Sequence, residues 1–257
     1  MKLTRRTSLL IGSAVIATLL GSGCTTSLPA APKTVLVAGA TGQTGRLIVT
    51  ELLANGYSVR ALARDTAKAR QTLGDKIEVV QGDVRDPATL AAAIAGTDAV
   101  ISAIGARAAT GPERPEAIDY EGVKNLVAAA VTGRSQQFVL VSSRGVTQVD
   151  NSLNRLFGNV LIWKLKGEDA LRASGLAYTV VRPGGLTNAA GGEKDVVFEQ
   201  GDAVSQQSTI TRADVARICV EALKFAEARN RTFEASARVG AKVTDWRAKF
   251  AALKPDP

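Results

Sequence analysis

The sequence predicts an α/β fold, a doubly wound parallel sheet in a single domain. Three observations carry this. The apolar run Val35–Ala38 passes straight into a glycine-rich turn, Gly39-Ala40-Thr41-Gly42-Gln43-Thr44-Gly45, and then into a helical apolar pattern at Leu47, Ile48, Val49, Leu52 and Leu53. Short apolar runs then recur along the chain with helical segments between them, the alternation that a parallel sheet requires. The chain has 257 residues, of which 46% are apolar, enough for one sizeable core, and no repeat or low-complexity tract interrupts it.

Composition narrows the chemistry. There is no histidine, which excludes His-based triads and His metal sites. Cys24 and Cys219 have neither metal-ligand spacing nor a disulfide framework, so no metal is expected. The formal net charge is +8, and three of the basic residues, Lys2, Arg5 and Arg6, lie in the leader. Aromatic residues are only 4% and no basic, aromatic-studded face stands out, so no nucleic-acid partner is expected. Modest positive charge suits a binder of anionic small molecules.

Residues 1–24 read as an export signal. Lys2, Arg5 and Arg6 make a basic start, Leu9–Leu20 a short apolar stretch, and Gly21-Ser22-Gly23-Cys24 a small-residue end. The apolar stretch is too short and too rich in Gly, Ser and Thr for a membrane span. Thr4-Arg5-Arg6-Thr7-Ser8-Leu9-Leu10 looks like a twin-arginine signal, a route for folded cargo, with Ser8 where Phe is usual. Cys24 resembles a lipoprotein cleavage site, with Gly21 where Leu is preferred; the alternative is a cut nearby that leaves Cys24 lost or free. The expected location is periplasmic, or membrane-anchored facing the periplasm, with a lipid on Cys24 as the only membrane contact. Residues 25–33, with Pro29 and Pro32, read as a linker, and 34–257 as the domain.

The glycine turn lets the backbone approach a pyrophosphate, and the following helix N-terminus offers unpaired N–H groups to it. The spacing is G-x-x-G-x-x-G rather than G-x-G-x-x-G. Asn55-Gly56 stops the helix, and Tyr57–Ala63 makes a second strand ending in Arg64-Asp65, about twenty residues beyond the turn, where such a unit meets the adenosine ribose. An acid there grips a 2′-hydroxyl and favours NAD(H); an arginine pairs with a 2′-phosphate and favours NADP(H). Arg64 comes first off the strand, with Arg46 as a second charge, so NADP(H) is the favoured cofactor; the alternative for Arg64 and Asp65 is a solvated pair. Ile77–Gln81 is a third strand. After it, Asp83 can accept from the adenine amine and Val84 can cover the ring, or the pair forms an ordinary turn. Pro87–Ile94 is helical, and Asp98–Ile104 is the fourth strand. Small residues at its end, Ala103 and Gly105 among them, let a cofactor pass close to the backbone.

Arg107–Glu116 is a polar loop, and Asp119–Val131 a helix with Val123, Leu126, Val127 and Ala130 inward. Phe138–Val141 is the fifth strand, ending in Ser142-Ser143. Asn154–Ala173 reads as one helix, and Ala177–Arg182 as the sixth strand, ending Pro183-Gly184-Gly185. Thr211 with Asp214 forms a capping pattern for a helix Arg212–Ala226 that buries Cys219. Thr232–Ala235 is a late strand, and Thr244–Leu253 a final helix with Trp246, Phe250 and Leu253 in the core.

From Lys33 onward the chain resembles an atypical short-chain dehydrogenase/reductase of the NAD(P)-binding, NmrA-like group. The segments that carry the resemblance are VLVAGATGQTGR, VRALARD, VQGDVRD, VISAIGA, FVLVSS, Phe157–Gly192 and TRADVA, in that order. It implies a Rossmann-type fold with the cofactor across the strand C-terminal edge. Gly39, Thr41, Gly42, Gln43, Thr44 and Gly45 match the phosphate loop, and Arg64 the ribose-phosphate reader. Conventional members follow the fifth strand with a Ser, then a Tyr-x-x-x-Lys pair on the next helix. Ser143, beside Ser142, matches the serine and Lys164 the lysine, which would hold the nicotinamide ribose. Val160 stands where the Tyr belongs, so the usual proton donor is missing. Pro183, Gly184 and Gly185 match the turn near the nicotinamide. The alternative for Lys164 is a solvated helix face.

The resemblance implies an NADPH-dependent oxidoreductase acting on a small carbonyl or quinone-like acceptor, with Ser143 bonding the reacting oxygen. Such an acceptor needs less help from a protein acid. A non-catalytic NADP(H)-binding redox sensor or partner-binding protein is the alternative, favoured by Val160. A sugar-nucleotide epimerase is a weaker third reading, because the C-terminal part is short.

Overall fold

Alternate residues of each central strand point into two different apolar layers, and that alternation organises the molecule. The computed structural model describes residues 1, 33–202, 208–242 and 245–257. The chain runs β1 (Thr34–Ala38), α1 (Gln43–Ala54), β2 (Ser58–Ala63), α2 (Thr66–Leu73), β3 (Glu78–Gln81), a 3₁₀ turn into α3 (Leu90–Ile94), β4 (Ala99–Ser102), a π-helical segment (Glu116–Gly122) leading into α4 (Val123–Thr132), β5 (Gln137–Val141), α5 (Ser152–Leu156), α6 (Val160–Arg172), β6 (Tyr178–Pro183), β7 (Gly185–Thr187), β8 (Asp195–Glu199), β9 (Thr209–Thr211), α7 (Arg212–Ala222), β10 (Arg231–Arg238) and α8 (Trp246–Ala251). The expected leader beyond Met1, Cys24 included, and the linker as far as Pro32 lie outside the described residues.

The main sheet has the order β3-β2-β1-β4-β5-β6-β10-β8, and β7 pairs with β9 separately. Its strands are parallel except for β8, which pairs antiparallel with β10. The order reverses between β1 and β4, so their C-terminal ends flank a crevice. In β1, Val35 and Val37 join Ile48, Leu52, Val215 and Ile218 in one layer. Leu36 and Ala38 join Leu90, Leu126 and Val127 in the other. Leu36, Ile48, Leu52 and Leu126 are wholly buried, and each such side chain contributes about 1.5–3 kcal/mol. Phe198, Phe233 and Phe250 pack together beside Trp246 at the β10–β8 end of the sheet.

The structure differs from the sequence reading at several elements; β8 was not anticipated, and the helix expected over 212–226 ends at Ala222. α2 was not anticipated; Asp65 caps it, accepting from Lys68 N at 2.9 Å. The expected helix over 154–173 is two helices, because Gly158 (φ +60) and Asn159 (φ +61) take left-handed conformations between them. The buried Asn154 side chain then accepts from Leu161 N and Ile162 N and starts α6. The expected helix over 119–131 begins instead as the π-helical segment. β7 and β9 have three residues each, too few for a period-2 pattern to show.

One charge lies deep in the sheet. Arg182 on β6 donates to Glu168 on α6 at 2.7 and 3.1 Å, and to Glu234 on β10 at 3.0 Å. Burial pushes the Glu234 carboxyl up, and Arg182 only partly offsets this. Removing one partner of a buried pair leaves an uncompensated charge. Arg182→Met is therefore expected to cost about 3 kcal/mol in urea unfolding at neutral pH. Without Arg182 the Glu234 carboxyl is pushed up further in the folded state, because burial then acts on it with nothing to offset it. Stability of the variant should then be greatest below the unfolded carboxyl pKa and fall as pH rises from there through the raised folded-state pKa; a pH-independent deficit would contradict the assignment. Cys219 is fully buried and its thiol is pushed up to about 12. It should not react with Ellman's reagent until the protein is unfolded.

Candidate functional site

The crevice at the ends of β1, β2, β3 and β4 is an open cleft of about 590 Å³. Of the residues singled out in the sequence, Gly39, Thr41, Gly42, Arg64, Asp83, Val84, Ala103 and Gly105 line it. Gly39 has φ +80, and a Cβ there would lie 2.6 Å from the Ala103 carbonyl oxygen. A Cβ on Gly45 would overlap the Gly39 carbonyl, so α1 starts directly against the turn. Gly42 N donates to Gly39 O at 2.9 Å. Gly42 caps α1 without a side-chain hydrogen bond, leaving the first-turn N–H groups, including those of Gln43 and Thr44, to serve an anion. The turn's glycine backbone and the α1 N-terminus together offer N–H groups of the kind that can hold a pyrophosphate. Arg46, the expected second charge, is exposed on α1 and is not among the lining residues.

The end of the cleft by β2, where the sequence reading expects the ribose, is more basic than expected. Arg64 and Arg107 line it with Lys68, which follows from α2. Lys68 escaped the sequence reading together with that helix, although Asp65 three residues earlier is the cap that marks it. Asp65 holds the helix end, and Arg64 pairs with Glu113 at 2.6 Å. Leu62, Val84, Ile104 and Ile118 supply apolar wall. The Asp83 carboxylate is gripped by Arg85 through both oxygens, at 2.5 to 3.1 Å, and that hydrogen bonding holds its pKa below the usual range.

Lys164, on α6, extends toward Gly105 at the edge of the cleft. Its Nζ would lie 4.0 Å from a Cβ on Gly105, and it pairs with Asp119 Oδ1 at 2.7 Å. Asp119 has no exposed side-chain surface, and its other oxygen accepts from Ala106 N at 3.1 Å. Asp119 was read only as the start of a helix; it stands in the π-helical segment, an irregularity often found at functional sites. Val160 is the first residue of α6, one turn before Lys164.

Ser142 and Ser143 end β5. Ser143 Oγ donates to Arg144 O at 3.0 Å. The buried Ser142 hydroxyl has no hydrogen-bond partner among the described residues. The loop beyond is clamped by Asp202, which accepts from Gly145 N at 2.6 Å and from Thr147 N and Oγ1 at 3.1 and 2.7 Å. Pro183 accepts from Arg144 N at 3.1 Å, while Gly184 N donates to Ala235 O and Gly185 N to Ser208 O. The serines, Lys164 and the 183–185 turn thus lie at strand ends and a helix beside the cleft, outside its lining.

Comparison with known proteins agrees with this architecture. A family described as NAD(P)H-binding matches residues 39–225. Sanguinarine reductase of Eschscholzia californica is 36% identical, covering 84% of this chain and 94% of the reductase. An uncharacterized chloroplastic protein of Arabidopsis thaliana is 33% identical, covering 85% of this chain and 75% of its own length. A putative NAD-dependent epimerase/dehydratase from Bacillus halodurans superposes with a TM-score of 0.73 at 27% identity, covering 81% of this chain and 96% of that one.

These relatives overturn one expectation. The chain was expected to be exported to the periplasm, with a signal peptide and a lipid on Cys24, yet relatives spanning most of it are chloroplast proteins. Basic, apolar, acid-free leaders serve several targeting routes, so the residues of 1–24 do not select one. The fold, the glycine cradle and the matches converge: the chain belongs to the NAD(P)H-binding family, as an atypical short-chain dehydrogenase/reductase-like protein that binds NAD(P).

Proposed function

We propose that this chain is an NADPH-dependent reductase of a small, apolar carbonyl or quinone-like acceptor. The observation that carries the reading is the junction at Gly105, where a dinucleotide cleft meets Lys164 beside the serine-bearing end of β5. Arg64 and Lys68 at the ribose end support NADP(H) over NAD(H). When bound, the dihydronicotinamide supplies a hydride. Lys164, oriented by Asp119, holds the nicotinamide ribose. Ser143 turns its hydroxyl from Arg144 O to the reacting oxygen, and water supplies the proton that Val160 cannot. Ser142, Pro183, Gly184 and Gly185 shape the nicotinamide end.

Support for an apolar acceptor comes from the segment between β5 and α6. Val149, Leu153, Leu156 and Phe157 are exposed there, Leu156 by 68% and Phe157 by 52%. Gly158, next to them, abuts the Ala109 carbonyl of the loop after β4. The segment that carries these residues thus touches the loop after β4, and an exposed apolar patch of this kind suits the approach of an apolar acceptor. The relative named as a reductase, sanguinarine reductase, is consistent with this chemistry. A second reading, a non-catalytic NADP(H)-binding redox sensor or partner-binding protein, is favoured by Val160.

Arg64→Ala should weaken NADPH binding about tenfold and leave NADH binding nearly unchanged in equilibrium titration, since a charge-assisted hydrogen bond is lost. Equal loss for both dinucleotides would contradict the ribose-phosphate role. Ser143→Ala should lower kcat for NADPH oxidation by menadione about tenfold or more while NADPH affinity holds. Unchanged turnover would remove Ser143 from the reaction, and no turnover by the wild type across quinones and carbonyls would favour the sensor.

A further inference from the structure

Arg64 already holds an anion. Its Nη1 lies 2.6 Å from Oε1 of Glu113, in the loop between β4 and the π-helical segment. Both residues line the cleft that contains the glycine turn. The loop is fastened at a second point, because Arg85, locked on Asp83, also donates to Pro112 O at 3.3 Å. The Arg64 guanidinium, helped by Arg107 and Arg85, holds the Glu113 carboxyl below the usual range, so the loop presents a full negative charge to Arg64 at neutral pH.

We propose that Glu113 is a specificity-determining competitor for the 2′-phosphate of NADP(H). The inference rests on the cofactor reading above and deepens it. A carboxylate and a phosphate monoester offer a guanidinium fork the same kind of charged acceptor oxygens. A dinucleotide with a 2′-phosphate must displace Glu113 to reach Arg64, and in doing so frees one fastening of the 107–115 loop. A dinucleotide with a bare 2′-hydroxyl leaves the pair intact. The phosphate wins because it carries more charge and more acceptor oxygens. Glu113 thus lowers affinity for NADP(H) alone and couples loop position to the identity of the bound dinucleotide. The side chains of Arg64 and Glu113 are 41% and 31% exposed, so the effect is severalfold rather than orders of magnitude.

The test is equilibrium titration of the wild type, Glu113→Gln, Arg64→Ala and the double variant with NADPH and NADH, followed by dihydronicotinamide fluorescence. Glu113→Gln should tighten NADPH about three- to fivefold, leave NADH unchanged, and lose its effect when Arg64 is absent. An equal gain with and without Arg64, or on both dinucleotides, would reveal only general charge repulsion and overturn the proposal. Weaker binding in Glu113→Gln would also overturn it, by making Glu113 a ligand of the ribose. Failure of the wild type to bind either dinucleotide would overturn the cofactor site and the proposal together. Binding of NADPH that ignores Glu113 would overturn the proposal alone.

Discussion

The contact of α1 with the turn before it is the constraint on which the site depends. Gly45 presses on the Gly39 carbonyl, and Gly39 passes over the carbonyl of Ala103 at the end of β4. Side chains at either position would push β1, α1 and β4 apart. With none there, the helix N-terminus and the bare turn face one crevice where the sheet order reverses. The glycine turn is thus a packing solution that also leaves the helix N-terminus open to the crevice. The two apolar layers on either side of the sheet hold it rigid.

The opposite half of the site is held by charge. Glu168 lies on α6 one turn beyond Lys164, and through Arg182 it ties that helix to β6 and β10. Asp119, also buried, fixes Lys164 from the side of the π-helical segment. Burying these groups carries a desolvation cost, and their mutual pairing offsets it while giving α6 one position. The result is a lysine aimed at Gly105 although the residue one turn earlier, Val160, carries no chemistry. The proposed reduction of an acceptor that needs little protonation help rests on this arrangement, a held lysine with no acid one turn before it.

Legibility in the sequence varied with the range of the interaction. The strand–glycine turn–helix unit was readable because its residues are neighbours, and the same holds for the Thr211–Asp214 cap and the core positions Phe250 and Leu253. Arg64 could be placed by its distance from the turn. Its partner could not, because Glu113 is 49 residues away and only the path of a loop brings them together. Lys68 was missed with the short α2, whose apolar content is too low to show a helical stripe. The break between α5 and α6 was missed because the apolar spacing runs through it, while two left-handed residues reverse the chain. Asp119 read as an ordinary first-turn helix residue, and only packing against α6 makes it the partner of Lys164.

The sequence by itself determined the fold class, the strand–glycine turn–helix unit and the absence of the usual tyrosine, because each is written in residues close along the chain or in a missing side chain. Tertiary structure alone decided what each charge faces: Asp65 caps a helix, Asp83 is held by Arg85, Arg64 by Glu113 and Lys164 by Asp119. The physical reason is that local propensity and periodicity act over a few residues. Electrostatic pairing acts over a few ångströms, and those ångströms are set by how the strands and loops are brought together.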